Sequence, residues 1–142
     1  MVRGYATEKE LVQGWQEKYG IPVVTTGMSH CDALHAMGIR RFLGLTPYQG
    51  AINDKFADYF KAAGFDVAAM LGIPIDFKRR YDLSREEIYG HIKNAFLPRR
   101  DVDGIYLLSP GGCRIVDVID AEHDLGVPHP IKGSGRLLEE FP

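Results

Sequence analysis

Apolar residues recur along the chain in two alternating rhythms. Leu11, Val12 and Trp15 are spaced as on one side of a helix over Thr7–Tyr19, with Thr7 as candidate cap and Gly20 as stop. The β-branched run Val23-Val24-Thr25-Thr26, closed by Gly27, fits a strand buried on both faces. Ser29-His30-Cys31-Asp32 then carries a capping signal, with Ser29 as cap and Asp32 favouring the helix N-terminus. It predicts a helix to Met37, ended by Gly38.

The same alternation repeats three more times. Arg41–Leu45 reads as a strand and Thr46-Pro47-Tyr48-Gln49-Gly50 as a turn. Ile52, Phe56, Tyr59, Phe60 and Ala63 form the apolar stripe of a helix ended by Gly64. Phe65–Leu71 is the next strand, followed by a polar connection, Gly72–Asp82, with Pro74 and Lys78-Arg79-Arg80. Ser84-Arg85-Glu86-Glu87 is a capping box that opens a helix through Phe96, and Pro98 lies just beyond. Asp103–Leu108 is the strongest buried-strand signal. After Ser109-Pro110-Gly111-Gly112-Cys113 comes a helix with Ile115, Val116, Val118 and Ile119 inward, and Val127-Pro128 is a candidate start of a further short strand.

Strands alternating with helices across short turns imply right-handed crossovers. The expected fold is α/β: a doubly wound parallel sheet of about four strands with helices on both faces. Residues 1–130 form one domain, and 131–142 read as a tail. No internal repeat or low-complexity segment interrupts it.

Composition narrows the class. At 142 residues, with 45% hydrophobic and 25% charged, the chain has the size and balance of one globular domain, which excludes disordered and collagen-like classes. Lys and Arg number 17 against 19 Asp and Glu, a net charge of -2 without an extended basic run, so nucleic acid is not an expected partner. Two cysteines, Cys31 and Cys113, are too few for a disulfide framework and fit a reducing compartment. Without an apolar leader at the N-terminus or a stretch of roughly 18 apolar residues, the expectation is a soluble cytoplasmic chain with no membrane partner.

In open parallel sheets, ligands bind outside the carboxyl ends of the strands, where helix N-termini offer N–H groups and positive dipole ends. Three turns qualify: Thr25-Thr26-Gly27-Met28-Ser29, Thr46–Gly50 and Ser109–Cys113. Each mixes hydroxyls with glycine, as a carboxylate- or phosphate-sized anion requires, although such residues also fill turns for capping and backbone reasons alone. No nucleotide-binding motif is present. Cys113, in the first turn of the last helix, is either a thiolate favoured by the dipole or a small hydrophobe beside Val116. Cys31 reads as packing.

The remaining candidates are weaker on their own. His30, Cys31 and His35 offer too few ligands for a metal, and none is expected. Lys78-Arg79-Arg80 is either a solvated loop or a cover over an anionic substrate. Tyr48 places a phenol at the mouth of a strand, where it could donate to an oxyanion, and Asn53 is a helix-start residue with capping as its simplest role.

Tyr19–Thr26, Ala33–Arg41, Thr46-Pro47-Tyr48 with Ile52-Asn53, and Asp103–Ile105 through Val127-Pro128 together resemble the second lobe of the aspartate/glutamate racemase superfamily. Within it they are similar to the maleate cis-trans isomerase and arylmalonate decarboxylase branch. The resemblance implies a small-carboxylate site between two α/β lobes, no cofactor or metal, and cysteine chemistry. By it, Tyr48 contacts substrate oxygen, and Ser109, Gly111 and Gly112 cradle a carboxylate; the turns themselves add Thr25, Thr26, Thr46 and Asn53 as candidate substrate-binding residues. Pro110 stands where that family has its second-lobe cysteine, with Cys113 three residues later. The first lobe has no counterpart here. The expectation is a cofactor-independent isomerase, racemase or decarboxylase-like domain for a small dicarboxylic acid such as maleate, completed by a homodimer partner or a separate first lobe. The alternative is a non-catalytic carboxylate-binding or truncated interaction domain.

Overall fold

Helices and strands alternate through the computed structural model, which describes residues 1–79, 81–108 and 115–128. In chain order they are α1 (Tyr5–Tyr19), α2 (Thr26–Ala36), β1 (Arg41–Thr46), α3 (Ala51–Ala62), β2 (Asp66–Gly72), α4 (Arg85–Phe96), β3 (Gly104–Leu107) and α5 (Ile115–Leu125). Among the described residues the strands form one parallel sheet in the order β2-β1-β3. Phe42 pairs with Val67 on one side and Gly104 on the other, and a register shift follows between Phe42 and Leu43.

Side chains alternate across this sheet into two cores. Leu43, Leu45, Ile105 and Leu107 meet Ile88, Ile92 and Phe96 of α4 and Ala121 of α5 on one face. Phe42, Tyr106 and Leu108 meet Leu34 of α2 and Phe56, Tyr59 and Phe60 of α3 on the other. Phe42, Phe60 and Tyr106 pack edge to face, their centroids 5.0 to 5.8 Å apart. Each such pair contributes about 1 kcal/mol beyond the burial of its rings, so the second core is stiff.

The helices start where local chemistry directs. Ser84 Oγ accepts from the Glu87 amide at 3.2 Å while the Glu87 carboxylate accepts from the Ser84 amide at 2.8 Å, completing the capping box that opens α4. At the amino edge of the sheet, Arg41 binds Asp66 and, at 3.1 Å, Asp101. Asp103 accepts from the amides of Arg41 and Arg40 at 2.9 and 3.0 Å, and these two bonds hold its carboxyl below the usual range. All three strands are thereby tied together at the amino edge of the sheet.

The chain departs from expectation in its second segment. Val23–Thr26 is not a strand: Val24 is 66% exposed, and Thr26 already belongs to α2. A β-branched run becomes a strand only beside a partner strand, and here the Thr25 side chain starts a helix instead. The cap is Thr25, not Ser29. Gly27 lies inside α2, and the Ser29 hydroxyl donates to the Thr25 carbonyl at 3.1 Å. The described residues thus hold three strands rather than about four. Ile119, expected inward, is 53% exposed, and Ala121 of α5 is buried. Beyond α5 the Pro128 carbonyl accepts from the Ile105 amide at 2.9 Å, without a further strand among the described residues. No helix among them is long and apolar enough to cross a membrane. Residues 131–142 lie outside the described residues.

Candidate active site at the carboxyl edge of the sheet

The strand order fixes where a ligand has room. From β1 the chain passes through α3 on one face to β2, then through α4 on the opposite face to β3 on the other side of β1. The connections that leave the neighbouring strands β1 and β3 lead to helices on opposite faces, α3 and α5, and so part at the carboxyl ends of those strands, the position at which parallel sheets open a crevice. The ladder runs to its brink, where the Leu108 amide donates to the Leu45 carbonyl at 2.8 Å. The next residue on β1 is Thr46. Ser109, Pro110, Gly111, Gly112 and Cys113, on which several of the expectations fall, lie outside the described residues.

The β1 wall is a turn locked from inside. Thr46, fully buried, donates through Oγ1 to Asn53 Oδ1 at 2.6 Å and accepts from the Tyr48 amide at 3.1 Å. Asn53, 5% exposed, donates through Nδ2 to the Tyr48 carbonyl at 2.8 Å. Gln49 Nε2 donates to the Ile73 carbonyl at 2.6 Å, and the Ile73 amide to the Thr46 carbonyl at 2.7 Å, which ties the turn to the end of β2. The half-buried Tyr48 ring lies 5.8 Å from Phe56. Gly50, at φ 64, turns the chain into α3 as an N-cap that supplies no side-chain hydrogen bond. The first turn of α3 therefore brings its dipole to the crevice uncapped by a side chain. Thr46 and Asn53 act here by shaping the turn. Asn53, whose simplest expected role was capping, is instead buried within α3, whose N-cap is Gly50.

The N-terminus of α2 lies at the same edge but is internally occupied. Thr25 Oγ1 accepts from the Met28 amide at 3.3 Å and donates to the buried carboxylate of Glu8 on α1. The Met1 ammonium donates to the other Glu8 oxygen at 2.5 Å. Burial opposes ionisation of Glu8, but the bonds from the Met1 ammonium and Thr25 outweigh it and hold the carboxyl below its ordinary value. The buried Tyr59 hydroxyl faces this carboxylate without a hydrogen bond of normal geometry, and burial pushes its phenol well up. Gly27 allows the approach: a Cβ there would collide with the Tyr59 hydroxyl and lie 2.8 Å from Glu8 Oε1. Thr26 is exposed.

Cys31 and the histidines of α2 diverge. Cys31 is core, and burial, with Asp32 and Glu8 nearby, pushes its thiol up to about 12. His35 is exposed and stacks on Phe65 at 4.4 Å. His30 Nδ1 lies 2.7 Å from the hydroxyl of Tyr106, which is 2% exposed and whose phenol burial pushes well up. Among the described residues no three His, Cys, Asp or Glu side chains converge as metal ligands. The sequence carries no local signal for the Glu8–Thr25 or His30–Tyr106 pairs, whose members lie 17 and 76 residues apart.

The described residues form a single α/β lobe with a parallel sheet covered by helices on both faces. The arylmalonate decarboxylase family profile matches residues 1–133, and the chain belongs to that family. The chain is 31% identical over 130 residues to the arylmalonate decarboxylase of Bordetella bronchiseptica, covering 89% of this chain and 53% of that protein. It superposes on unliganded arylmalonate decarboxylase with a TM-score of 0.86 at 22% identity, covering 97% of this chain and 60% of the other. For the maleate isomerase of Pseudomonas putida S16 the TM-score is 0.68 at 20% identity, covering 78% and 44%. The chain thus spans about half the length of the curated relative it matches, which fits a single lobe.

Proposed function

We propose that this domain supplies one lobe of a cofactor-independent decarboxylase or isomerase site for a small dicarboxylic acid such as an arylmalonate or maleate. The observation that carries this reading is the locked Thr46–Asn53 turn, standing with the side-chain-uncapped start of α3 at the crevice between β1 and β3. Such a turn binds a carboxylate through backbone N–H groups and the helix dipole without reorganising, which is how preorganised donors stabilise developing oxyanions.

In a decarboxylation, the electron pair left by departing carbon dioxide spreads onto the remaining carboxylate as an enediolate. The Tyr48 hydroxyl donates to one of its oxygens. Cys113 gives its thiol proton to the carbon, and the resulting thiolate recovers a proton from water. In the isomerase form of the chemistry, the same thiolate adds to the double bond and leaves after rotation. Thr25 and Thr26 stand at the neighbouring helix start, and Ser109, Gly111 and Gly112 are the further carboxylate contacts of this reading. A second copy or a separate lobe closes the site.

The purified chain is assayed for carbon dioxide release from phenylmalonate and for isomerisation of maleate, with its solution mass followed by light scattering. Turnover that Cys113→Ser abolishes while diacid binding persists supports the reading, and Tyr48→Phe should lower kcat/KM by roughly a hundredfold, the usual cost of one oxyanion donor. Absence of both binding and turnover overturns it. Pro110, at the position of the family's cysteine, favours a second reading as a carboxylate-binding domain without turnover, for which binding persists and Cys113→Ser changes nothing.

A further inference from the structure

The turn that carries Tyr48 rests on the end of β2 as well as on α3. Thr46 and Gly72 are register partners across β1 and β2, so the chain leaving β1 runs against the last residue of β2. A Cβ on Gly72 would lie 2.1 Å from the Tyr48 carbonyl oxygen and 2.5 Å from Gln49 Oε1. The first of these atoms is backbone and cannot swing aside as a side-chain end does. Gly72 is not among the residues at positive φ, so its backbone admits any side chain and space alone requires the glycine.

The carbonyl that Gly72 admits is the one that accepts from Asn53 Nδ2 at 2.8 Å. Gln49, lying against the same glycine, donates through Nε2 to the Ile73 carbonyl at 2.6 Å, and the Ile73 amide donates to the Thr46 carbonyl at 2.7 Å. The peptide after Tyr48 is thereby clamped between α3 and the end of β2, while the half-buried Tyr48 ring packs 5.8 Å from Phe56. Carbon contacts normally settle at about 3.5 Å or beyond, so a methyl group on residue 72 would shift this peptide by roughly 1 Å. Helix α3 is anchored in the core by Phe56, Tyr59 and Phe60, which leaves the turn to absorb the movement.

We propose that Gly72 and Gln49 are positioning residues of the site, setting from β2 the place at which Tyr48 meets a substrate carboxylate. The proposal rests on the reading of this edge as a carboxylate site. It makes β2, which does not border the crevice between β1 and β3, a determinant of ligand affinity. A displacement of roughly 1 Å is enough to break a hydrogen bond to a ligand, while the packing of the rest of the lobe is untouched.

The test measures phenylmalonate binding to the full chain by calorimetry, because a diacid binds whether or not it is turned over. Gly72→Ala should weaken binding about tenfold, the loss of one hydrogen bond to a charged group, and Tyr48→Phe should do the same. The double variant should bind no more weakly than Tyr48→Phe alone, since both changes remove one contact; a general loss of structure would instead add to it. Gln49→Glu, at an exposed position, keeps the size of the side chain but removes its N–H donor. It should weaken binding about threefold, again only while the Tyr48 hydroxyl is present, and it decides the matter if Gly72→Ala does not fold. If the variant binds phenylmalonate as the wild type does, or its loss persists undiminished beside Tyr48→Phe, the proposal is overturned and the carboxylate reading stands. If the wild-type chain itself binds no phenylmalonate, the carboxylate reading fails and the proposal falls with it.

Discussion

Two of the helices that begin at the carboxyl edge of this sheet, α2 and α3, start at turns that carry threonine and glycine, and they use their N-termini in opposite ways. At α2 the chain brings its own anion, the Glu8 carboxylate, to the capping hydroxyl of Thr25. At α3 the polar side chains are spent holding the turn in shape, and Gly50 leaves the helix start without a side-chain cap. Similar residue types therefore produce an internally neutralised helix end in one place and a receptive one in the other. The determinant is a carboxylate 17 residues away, not the turn itself.

The sharpest way to break this contrast is to separate Glu8 and Tyr59 from α2. Gly27→Ala places a methyl group against both, and overpacking at a rigid site should cost about 3 kcal/mol in urea-induced unfolding. A loss below about 0.5 kcal/mol would mean that the Glu8–Tyr59 contact is not tightly held. Asn53→Ala should cost about 2 kcal/mol by removing its two buried hydrogen bonds, to the Thr46 hydroxyl and the Tyr48 carbonyl, and it should weaken diacid binding as well. Stability loss with unchanged binding would detach the turn from the site.

The smallest effect is also the most diagnostic. Glu8→Gln keeps an acceptor for Thr25 and should cost about 1 kcal/mol at pH 7 without altering diacid affinity. Because the Glu8 carboxyl is depressed in the folded chain, its stabilisation is present above the ordinary value of 4.5 and is lost as pH falls through the lower folded value. The gap between wild type and Glu8→Gln should therefore close below pH 4.5. A gap that persists in acid would assign the effect to packing rather than to charge.

Periodicity was sufficient wherever an element's reason is local. The stripe of α3, the Ser84–Glu87 box of α4 and the apolar runs of β1, β2 and β3 all lie within a residue or two of where spacing and capping put them. Val23–Thr26 failed because strand propensity says nothing about whether a partner strand is there. Ser29 with Asp32 imitated a cap, and Thr25 prevailed through Glu8, a partner on another helix. At the candidate site Thr46, Tyr48 and Asn53 were legible as residue types, but the hydrogen bonds that turn them into one rigid unit were not. His30 and Tyr106, 76 residues apart, left no trace in any local pattern.

The order β2-β1-β3 also schedules how the domain assembles. Arg41 meets Asp66 across 25 residues of chain and Asp103 across 62, and closing the longer loop costs about 0.8 kcal/mol more. The β1-α3-β2 unit is therefore the kinetically favoured nucleus, and β3 docks onto its free side afterwards. The crevice between β1 and β3 is then the last seam to close during folding and the first to open in local unfolding. A ligand spanning it would act as a clasp on that seam, slowing amide exchange in β3 more than in β2.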